Sequence, residues 1–407
     1  MNINDSSQLR ECTSCQLCEA ICPSDAITIY NNEEGFYRPR IDPDKCIDCG
    51  KCVRVCYKFD DKIRITTDYS QKQLYASWAK DQRILDITTS GGIADILAKE
   101  LIKQGYNCIG VVYNYREQRA ETQIAKTIEK TDDFRGSKYI QTLSSLAFRD
   151  FHEQNSAEKF AIFGLPCQIY AIDRYLRLKK KRDNHILIDM YCHGCPSLHL
   201  WKKYLREIKE EYEIDDIVDI KFRSKEKGWG KFTVEIHALS RHKKRIILSS
   251  PLNNSFYELF FSDMVLNKAC YDCLLRGTLE YSDIRLGDFW GKSFLSNIHG
   301  VSGVTINSEI GEELFTSVKD HIICKKQLFS SFLPYQSYGK TYQVSHKVRE
   351  LMLHQLTDDD IPIKQIITQY RRSLSLYSRF KLYMKHLAEG LPQQLLVILK
   401  RIIYSIK

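Results

Sequence analysis

The sequence predicts a protein of mixed α+β and α/β class, with a small cysteine-rich domain, a larger α/β domain and a helical C-terminal tail. Three observations predict this class. Eight of the 15 cysteines lie within residues 12–56, short apolar runs alternate with helical patterns in the middle of the chain, and the pattern turns helical and basic after residue 340. Because 407 residues exceed the usual size of one hydrophobic core, we predict domains at residues 1–62, 70–340 and 341–407.

The composition is that of a folded globular chain. Apolar residues make up 43% and charged residues 27%, which argues against a disordered or fibrous protein. The longest apolar runs, such as residues 395–399, are far shorter than the roughly 20 residues that cross a bilayer. The first residues show neither the basic nor the apolar region of a secretory signal. We therefore expect a cytoplasmic protein.

The formal charge of +9 is unevenly distributed along the chain. Residues 1–60 hold seven Lys and Arg against ten Asp and Glu, so they carry −3 and the remaining residues carry +12. A basic body could suit nucleic acid, a phosphorylated cofactor or an anionic membrane surface. The sequence has no recognisable nucleic-acid-binding motif, so we expect no nucleic-acid partner.

The cysteines of the first domain form two blocks with the same spacing, C-x2-C-x2-C-x3-C. This is the spacing of bacterial two-cluster ferredoxins, in which the fourth cysteine of each block ligates the other cluster. The spacing therefore predicts a small bacterial-type ferredoxin domain with two [4Fe–4S] clusters. The first ligand set is Cys12, Cys15, Cys18 and Cys56, and the second is Cys46, Cys49, Cys52 and Cys22.

Two other interpretations of these cysteines are weaker. A zinc ion takes four ligands, so a third thiol at the same spacing in each block is one too many for paired zinc knuckles. Disulfides are not expected in a long chain without a secretory signal. One residue departs from the ferredoxin pattern, because Tyr57 follows Cys56 where proline is typical.

Loops at the ends of predicted strands indicate a ligand site in the larger domain. We predict strands at residues 84–88, 108–113, 160–163 and 185–191, and a helix at residues 93–104. Ligands of α/β proteins bind beyond the carboxyl ends of strands, and a helix that begins after hydroxyls and glycines can bind a phosphate. The alternative is an ordinary helix cap. The candidate cofactor-binding residues in these loops are Thr89, Ser90, Gly91, Gly92, Gly164, Pro166 and Gln168.

Five further thiols could form a third metal site. Cys270 and Cys273 make another C-x2-C pair, and Cys167, Cys192 and Cys195 lie at predicted strand ends beside glycine and proline. A single free cysteine is usually a small buried hydrophobe, and this interpretation suits Cys108 and Cys324.

Through these cysteines and loops, the chain resembles the family of beta subunits of coenzyme F-420-reducing hydrogenase and related dehydrogenases. The matching motifs occur in order and cover about residues 10–292. They are the doubled cysteine block, Thr89-Ser90-Gly91-Gly92, Gly136-Ser137-Lys138-Tyr139-Ile140-Gln141, Gly164-Leu165-Pro166-Cys167-Gln168, Cys192-His193-Gly194-Cys195-Pro196-Ser197, the Cys270 and Cys273 pair, and Gly287-Asp288-Phe289-Trp290-Gly291.

The resemblance implies that the larger α/β domain binds FAD and holds a third [4Fe–4S] cluster beside it. It implies that Ser137, Lys138 and Gln141 contact the cofactor together with the loop at residues 89–92. A lysine there would offset negative charge on a flavin or a phosphate, although a solvated surface lysine is the alternative. The ligands that the resemblance favours are Cys167, Cys192, Cys270 and Cys273, with Cys195 as a substitute.

Two further features complete the functional hypothesis. We assign His193 and Lys138 as candidate catalytic residues, with His193 as a proton donor to substrate because the pKa of histidine lies near neutrality. A structural histidine is the alternative. The last helix places apolar and basic side chains on different faces, so it could lie on an anionic membrane or pack on protein. Its apolar residues are Leu395, Ile398, Leu399, Ile402 and Ile403, and its basic residues are Lys400, Arg401 and Lys407.

We therefore expect an iron–sulfur flavoprotein oxidoreductase. An external donor such as ferredoxin would supply electrons, and a small organic molecule would accept them through FAD. The alternative is a non-catalytic electron-transfer subunit whose chemistry takes place on a partner polypeptide.

Overall fold

A computed structural model describes residues 1–154, 157–241, 243–249, 254–391 and 395–399. In this part of the chain the strands form a two-stranded hairpin, a nine-stranded mixed sheet and a three-stranded antiparallel sheet. The strands are β1 (Ile27–Asn31), β2 (Tyr37–Ile41), β3 (Gln73–Ala79), β4 (Asn107–Asn114), β5 (Arg119–Ala125), β6 (Thr142–Leu143), β7 (Phe160–Phe163), β8 (Ile186–Met190), β9 (Asp216–Ser224), β10 (Thr233–Ser240), β11 (Lys243–Ser249), β12 (Ile284–Asp288), β13 (Ser302–Ile306) and β14 (Ile322–Gln327).

The helices pack on the sheets or form the C-terminal tail. They are α1 (Leu17–Ala20), α2 (Lys51–Arg54), α3 (Gln82–Ile87), α4 (Ile93–Lys103), α5 (Ile128–Thr131), α6 (Ser145–Gln154), α7 (Pro166–Leu178), α8 (Leu198–Glu211), α9 (Ser255–Phe260), α10 (Glu309–Ser317), α11 (His346–Thr357), α12 (Ile363–Ser373) and α13 (Leu376–Gly390). Residues 395–399 are also helical. No helix among the described residues is long and apolar enough to cross a membrane.

The nine-stranded sheet forms the centre of the larger α/β domain. Its strand order is β14-β3-β13-β12-β8-β7-β4-β5-β6. The four consecutive strands β12, β8, β7 and β4 run parallel to one another. Parallel strands are covered on both faces and are therefore almost continuously apolar. The buried run Ile186, Leu187 and Ile188 in β8 has this character. Strands β4, β7 and β8 confirm three of the four predicted strands, and α4 confirms the predicted helix.

The predicted strand at residues 84–88 is wrong, because this segment lies largely in α3. The carboxylate of Asp81 accepts a hydrogen bond from the backbone N–H of Arg83 and caps the helix. A short apolar run fits a strand and a buried helical turn equally well, so its period could not distinguish them. The strand next to this loop is β3, which begins nine residues before α3 and pairs with β13 and β14.

The N-terminal ferredoxin-like domain shares an apolar core with the larger domain. Leu17 and Tyr57 lie in the same buried cluster as Phe151 and Tyr170. The side-chain oxygen of Gln16 also accepts a hydrogen bond of 2.7 Å from the backbone N–H of Ser144. The two domains are therefore packed against each other through apolar and polar contacts.

The C-terminal part of the described chain is helical, as predicted. Helices α11 and α12 pack with α8 and α9 against the three-stranded sheet. Of the predicted apolar face of the last helix, Leu395 and Ile398 are exposed. Five residues of the predicted helix lie outside the described residues, namely Lys400, Arg401, Ile402, Ile403 and Lys407.

Candidate iron–sulfur centres and ligand loops

The first predicted ligand set lies around one pocket of the N-terminal domain. This pocket has about 470 Å³ of open space, including solvent at its mouth, and its lining includes Cys12, Cys15, Cys18 and Cys56. Ser14 and Gln16 adopt positive φ angles of 62° and 67°, which fold the ligand loop tightly before α1. Burial raises the pKa of the Cys15 thiol to about 11 and also raises the pKa of Cys18 and Cys56.

The second predicted ligand set lies around another pocket of the same domain. Its open space is about 320 Å³, and its lining includes Cys22, Cys46, Cys49 and Cys52. The sulfur of Cys22 accepts a hydrogen bond of 3.3 Å from the backbone N–H of Ala26.

The five remaining candidate thiols come together in the larger domain. Cys167 lies in the first turn of α7, Cys192 and Cys195 follow β8, and Cys270 and Cys273 lie in a loop of short turns. Burial raises the pKa of all five thiols, to about 11 for Cys192 and about 12 for Cys270. The negative charge of neighbouring thiolates in this set also raises the pKa of Cys167, Cys195 and Cys270, so the five cysteines lie close enough to interact electrostatically. We call these five cysteines the third thiol group.

All candidate ligands of the three sets are cysteine thiols, the type of donor that holds [4Fe–4S] clusters. Among the described residues, no three His, Cys, Asp or Glu side chains form a group that could hold one metal ion. A zinc ion requires all its thiolates at about 2.3 Å from one centre. A [4Fe–4S] cluster gives each thiolate its own iron and therefore holds the four sulfurs further apart.

A buried arginine next to the third thiol group supports an anionic occupant. Arg276 is 3% exposed and donates hydrogen bonds to the backbone oxygens of His193 and Cys270. Its Nε atom is buried without a hydrogen-bond partner. Burial has the largest effect on the pKa of Cys192 and Cys273. The positive charge of Arg276 has the second largest effect, and it lowers the pKa of both thiols. A cluster ligated by four thiolates is negatively charged, so this guanidinium fits beside it.

The third thiol group adjoins the first pocket of the N-terminal domain. Cys15, Cys167 and Cys273 all pack against one apolar cluster, which contains Leu17 and Tyr170. The Cys15 thiol is also one of the charges that raise the pKa of Cys167. The thiols of the two domains are thus neighbours within a single core.

His193 is held by a polar network beside the third thiol group. One ring nitrogen, Nε2, lies 2.8 Å from the carboxylate of Asp263, and the other, Nδ1, lies 3.1 Å from the hydroxyl of Tyr342. The rings of Phe260 and Phe261 pack around the imidazole. A carboxylate at one ring nitrogen and a hydroxyl at the other fix the orientation of the imidazole. This arrangement fits a histidine that transfers a proton and equally a structural histidine. The catalytic role of His193 stays a prediction.

The structure brings together two of the predicted cofactor loops. The hydroxyl of Thr89 accepts a hydrogen bond of 3.1 Å from the backbone N–H of Ser137, and the hydroxyl of Ser90 is buried without a partner. A β-carbon on Gly91 would lie 2.4 Å from the carbonyl oxygen of Ser77, and Gly92 has a φ of 79°. Both glycines are therefore required by the backbone that leads into α4.

Lys138 directs its ammonium into the protein. Its Nζ atom lies within 3.5 Å of four backbone carbonyl oxygens, and burial lowers its pKa to about 7. Three N–H donors are thus fully used inside the fold. The predicted cofactor and catalytic roles of Lys138 stay predictions. The four acceptors are Val111, Asp133, Phe134 and Arg135.

The other predicted loop residues also make internal contacts. Gln141 is buried, donates to the carbonyls of Gly35 and Pro196, and accepts from the N–H of Tyr37. Gln168 caps α7 by accepting from the N–H of Leu165 and donates to Ser144. Pro166 is the first residue of α7, and the N–H of Gly164 donates to Ile188 in β8. Cofactor binding by Gly164, Pro166 and Gln168 stays a prediction.

Sequence reasoning missed several residues around these centres. Arg276 follows Cys273 by three residues, so the basic residue next to the C-x2-C pair was an available signal. Asp263 and Tyr342 lie far from His193 in the sequence, and no local pattern linked them. Arg223 pairs with Asp288 of the matched Gly-Asp-Phe-Trp-Gly motif and is buried, and no local pattern indicated this pairing.

These features define an iron–sulfur protein with a ferredoxin-like domain joined to an α/β domain, and comparison with family models agrees. Residues 11–58 match the 4Fe-4S dicluster domain. Residues 157–329 match the family described as the C terminus of the beta subunit of coenzyme F420 hydrogenase/dehydrogenase. The chain is therefore similar to two different families over separate ranges of residues. The predicted flavin stays a prediction.

Curated relatives agree with this division. One subunit of the F(420)H(2) dehydrogenase of Methanosarcina mazei is 24% identical over 328 residues, which cover 76% of this chain and 83% of that protein. One subunit of the Na(+)-translocating ferredoxin:NAD(+) oxidoreductase complex of Acetobacterium woodii is 49% identical over 47 residues, 12% of this chain and 13% of that protein.

One solved structure is similar over most of its length. A chain of the F420-reducing [NiFe] hydrogenase complex from Methanosarcina barkeri, determined after xenon derivatization, aligns with a TM-score of 0.43 and 16% identity. The alignment covers 76% of this chain and 94% of that one.

Proposed function

We propose that the protein is an iron–sulfur electron-transfer subunit of an oxidoreductase complex. The observation that carries this proposal is the packing of Cys15, Cys167 and Cys273 against one apolar cluster. Thiols from the dicluster domain and from the α/β domain are thereby neighbours, which is the arrangement that a relay between metal centres requires. The match of residues 11–58 to the dicluster domain supports the same conclusion.

We assign three [4Fe–4S] clusters to the chain. Bound clusters of this type would supply transfer of single electrons. The protein itself would hold the thiolates in place, and the buried Arg276 would offset negative charge at the third thiol group. The ligand sets are Cys12, Cys15, Cys18 and Cys56; Cys22, Cys46, Cys49 and Cys52; and four of Cys167, Cys192, Cys195, Cys270 and Cys273.

The names of the relatives support a role within a complex. One belongs to an F(420)H(2) dehydrogenase, and the other belongs to a ferredoxin:NAD(+) oxidoreductase complex. We infer that this chain exchanges electrons with a ferredoxin-like donor and works with at least one partner subunit. The partner would carry the reaction of the organic substrate.

The second candidate is a flavoenzyme that reduces a small organic molecule itself. The observation that favours it is the meeting of the loops at Thr89 and Ser137, next to the buried and unpartnered hydroxyl of Ser90. In this proposal the backbone at Thr89, Ser90, Gly91 and Gly92 would hold FAD. Bound FAD would supply exchange between one-electron and two-electron transfer.

Iron and flavin analysis of anaerobically purified protein tests both proposals. We expect about twelve irons per chain, four for each [4Fe–4S] cluster. The double variant Cys270→Ala/Cys273→Ala should retain about eight, because the remaining three thiols cannot complete a four-thiolate site. Cys324→Ser is the matched control, since Cys324 is a free thiol on the sheet edge strand β14 and should not change the iron content.

The outcome separates the alternatives. About eight irons in the wild-type protein, or an unchanged count in the double variant, would remove the third cluster from the proposal. Stoichiometric FAD together with substrate turnover in the absence of a partner would favour the flavoenzyme. Electron uptake from reduced ferredoxin without turnover would favour the electron-transfer role.

A further inference from the structure

The helix α13 exposes a continuous apolar face. Leu376, Phe380, Tyr383, Met384 and Leu387 are between 47% and 81% exposed. At about 100° per residue, these five side chains fall within an arc of about 100° on one side of the helix. Apolar patches of this kind on a folded protein mark sites of interaction.

Within the part of the chain that the structure describes, the protein core does not cover this face. On the other side of α13, Ser378, Leu382 and His386 are half-buried, so the more exposed side of the helix is the apolar one. A helix that only completes a domain core turns its apolar stripe inward. The orientation of α13 is the reverse, which indicates an occupant outside this part of the chain.

Basic residues flank the apolar face on both sides. Arg379 and Lys381 lie at its two edges, and Arg372 precedes the helix; all three are exposed. Residues 361–407 hold nine Lys and Arg against one Glu, a charge of +8 within a chain of +9. Nearly all of the net positive charge is therefore concentrated in the segment that contains α13.

This combination favours a lipid surface over a protein partner. Charged residues, and lysine in particular, are depleted in the centres of protein interfaces. Helices that lie in the membrane interface combine an apolar face with cations at its edges, whose long side chains extend to the headgroups. The aromatic rings of Tyr377, Phe380 and Tyr383 suit the headgroup level, where amphipathic rings are enriched.

We propose that α13 lies flat on a membrane surface rich in anionic lipid, with its exposed apolar face in the boundary between headgroups and acyl chains. The contact is peripheral and leaves the cysteine pockets of the N-terminal domain outside the bilayer. It does not depend on the function proposed above, because α13 contains no residue of the thiol groups.

Vesicle flotation with the full-length, cluster-loaded protein tests the proposal. Vesicles of phosphatidylcholine alone are compared with vesicles that contain phosphatidylglycerol as well. We expect at least about tenfold tighter binding to the anionic vesicles, weakening as the salt concentration rises, because each basic residue near such a surface contributes to binding.

Two double variants separate the apolar and charged contributions. Phe380→Ser/Leu387→Ser should weaken binding by on the order of a hundredfold, because both side chains would otherwise enter the apolar boundary. Arg372→Gln/Lys381→Gln should weaken binding by about thirtyfold. The matched controls change exposed residues elsewhere, Leu146→Ser/Leu328→Ser and Lys179→Gln/Lys319→Gln, and should bind like the wild type.

Iron content and gel filtration confirm that each variant is folded. Failure of the wild-type protein to float, equal binding to neutral and anionic vesicles, or wild-type binding by Phe380→Ser/Leu387→Ser would each overturn the proposal. Self-association or retention of a protein partner that this variant abolishes, without lipid binding, would assign the face to a protein interface and would overturn it too.

Discussion

The hydroxyl of Tyr57 accepts a hydrogen bond of 3.1 Å from the backbone N–H of Leu274. Tyr57 directly follows Cys56 of the dicluster domain, and Leu274 directly follows Cys273 of the third thiol group. Proline, which is typical after the fourth cysteine of a ferredoxin block, could not form this bond. The tyrosine that departs from the ferredoxin pattern thus connects two candidate ligand loops.

Replacing Tyr57 by phenylalanine tests this connection. Tyr57→Phe leaves the N–H of Leu274 without its partner, so we expect a loss of about 1–2 kcal/mol in the free energy of unfolding. We also expect faster loss of iron from the third thiol group in air, measured by iron content and electron paramagnetic resonance over time.

Tyr281→Phe is the matched control for Tyr57→Phe. The hydroxyl of Tyr281 accepts a bond of 2.9 Å from the N–H of Arg64, and neither residue adjoins a cysteine in the sequence. This variant should lose similar stability but retain its iron as the wild type does. Equal iron loss in both variants would show that the effect of Tyr57 is only general destabilisation.

Arg276 should set the reduction potential of the third cluster. Replacing it by glutamine removes a buried positive charge beside the thiols, and the reduced cluster, which carries one more negative charge, loses more stabilisation than the oxidised one. A charged contact of about 1.5–3 kcal/mol corresponds to about 60–130 mV for a one-electron couple. Anaerobic redox titration of Arg276→Gln should therefore show a potential lower by this amount.

A half-buried, ion-paired arginine provides the control for this shift. Arg182 pairs with Asp173 and Asp283, remote from the third thiol group. Arg182→Gln should destabilise the fold and leave the three potentials unchanged. A potential that does not move in Arg276→Gln would place the cluster elsewhere.

The sequence predicted several local features of the fold and grouped cysteines that lie near each other. The spacing of the two cysteine blocks indicated which thiols share a pocket, and Cys12 and Cys56 do line the same one although 44 residues separate them. Continuous apolar runs identified β4, β7 and β8 because parallel strands are buried on both faces. The spacing of the cysteines could indicate which thiols lie together because three of the four thiols of each set come from one short segment.

Features that depend on distant partners could not be predicted in this way. The ammonium of Lys138 bonds to the carbonyl of Val111, which lies on β4, and only the folded chain shows that it points inward. The pattern of α13 indicates that one face is apolar, but it does not show whether another part of the protein covers that face. Asp263 likewise reaches His193 only through the fold.

Gln141 should be essential for joining the two domains. Its side chain bonds to Gly35 and Tyr37 of the N-terminal domain and to Pro196 beside the third thiol group. Gln141→Leu removes all three bonds. The carbonyl of Gly35 still accepts from the N–H of Leu198, but the N–H of Tyr37 and the carbonyl of Pro196 lose this partner, so we expect a loss of about 2 kcal/mol or more in the free energy of unfolding. Denaturant unfolding measures this loss. Gln104→Leu, at an exposed position, is the control and should change stability little.

His185 should make stability depend on pH. It is fully buried, its Nδ1 atom accepts a bond from the N–H of Phe160, and burial lowers its pKa to about 4. The unfolded chain, with a pKa of about 6.5, binds a proton at higher pH than the folded chain does. Stability is therefore complete above about pH 6.5 and is lost as the pH falls towards 4, with about 1.4 kcal/mol lost between pH 7.5 and 5.5.

Comparing variants isolates this contribution from that of other titrating groups. His185→Gln cannot bind the proton, so its stability should change by about 1.4 kcal/mol less than that of the wild type between pH 7.5 and 5.5. The exposed His354 provides the control, because His354→Gln should keep the wild-type dependence. Unfolding at both pH values under anaerobic conditions measures the difference. If His185→Gln and the wild type lose equal stability on acidification, the histidine titrates alike in the folded and unfolded chains, and the burial argument for His185 fails.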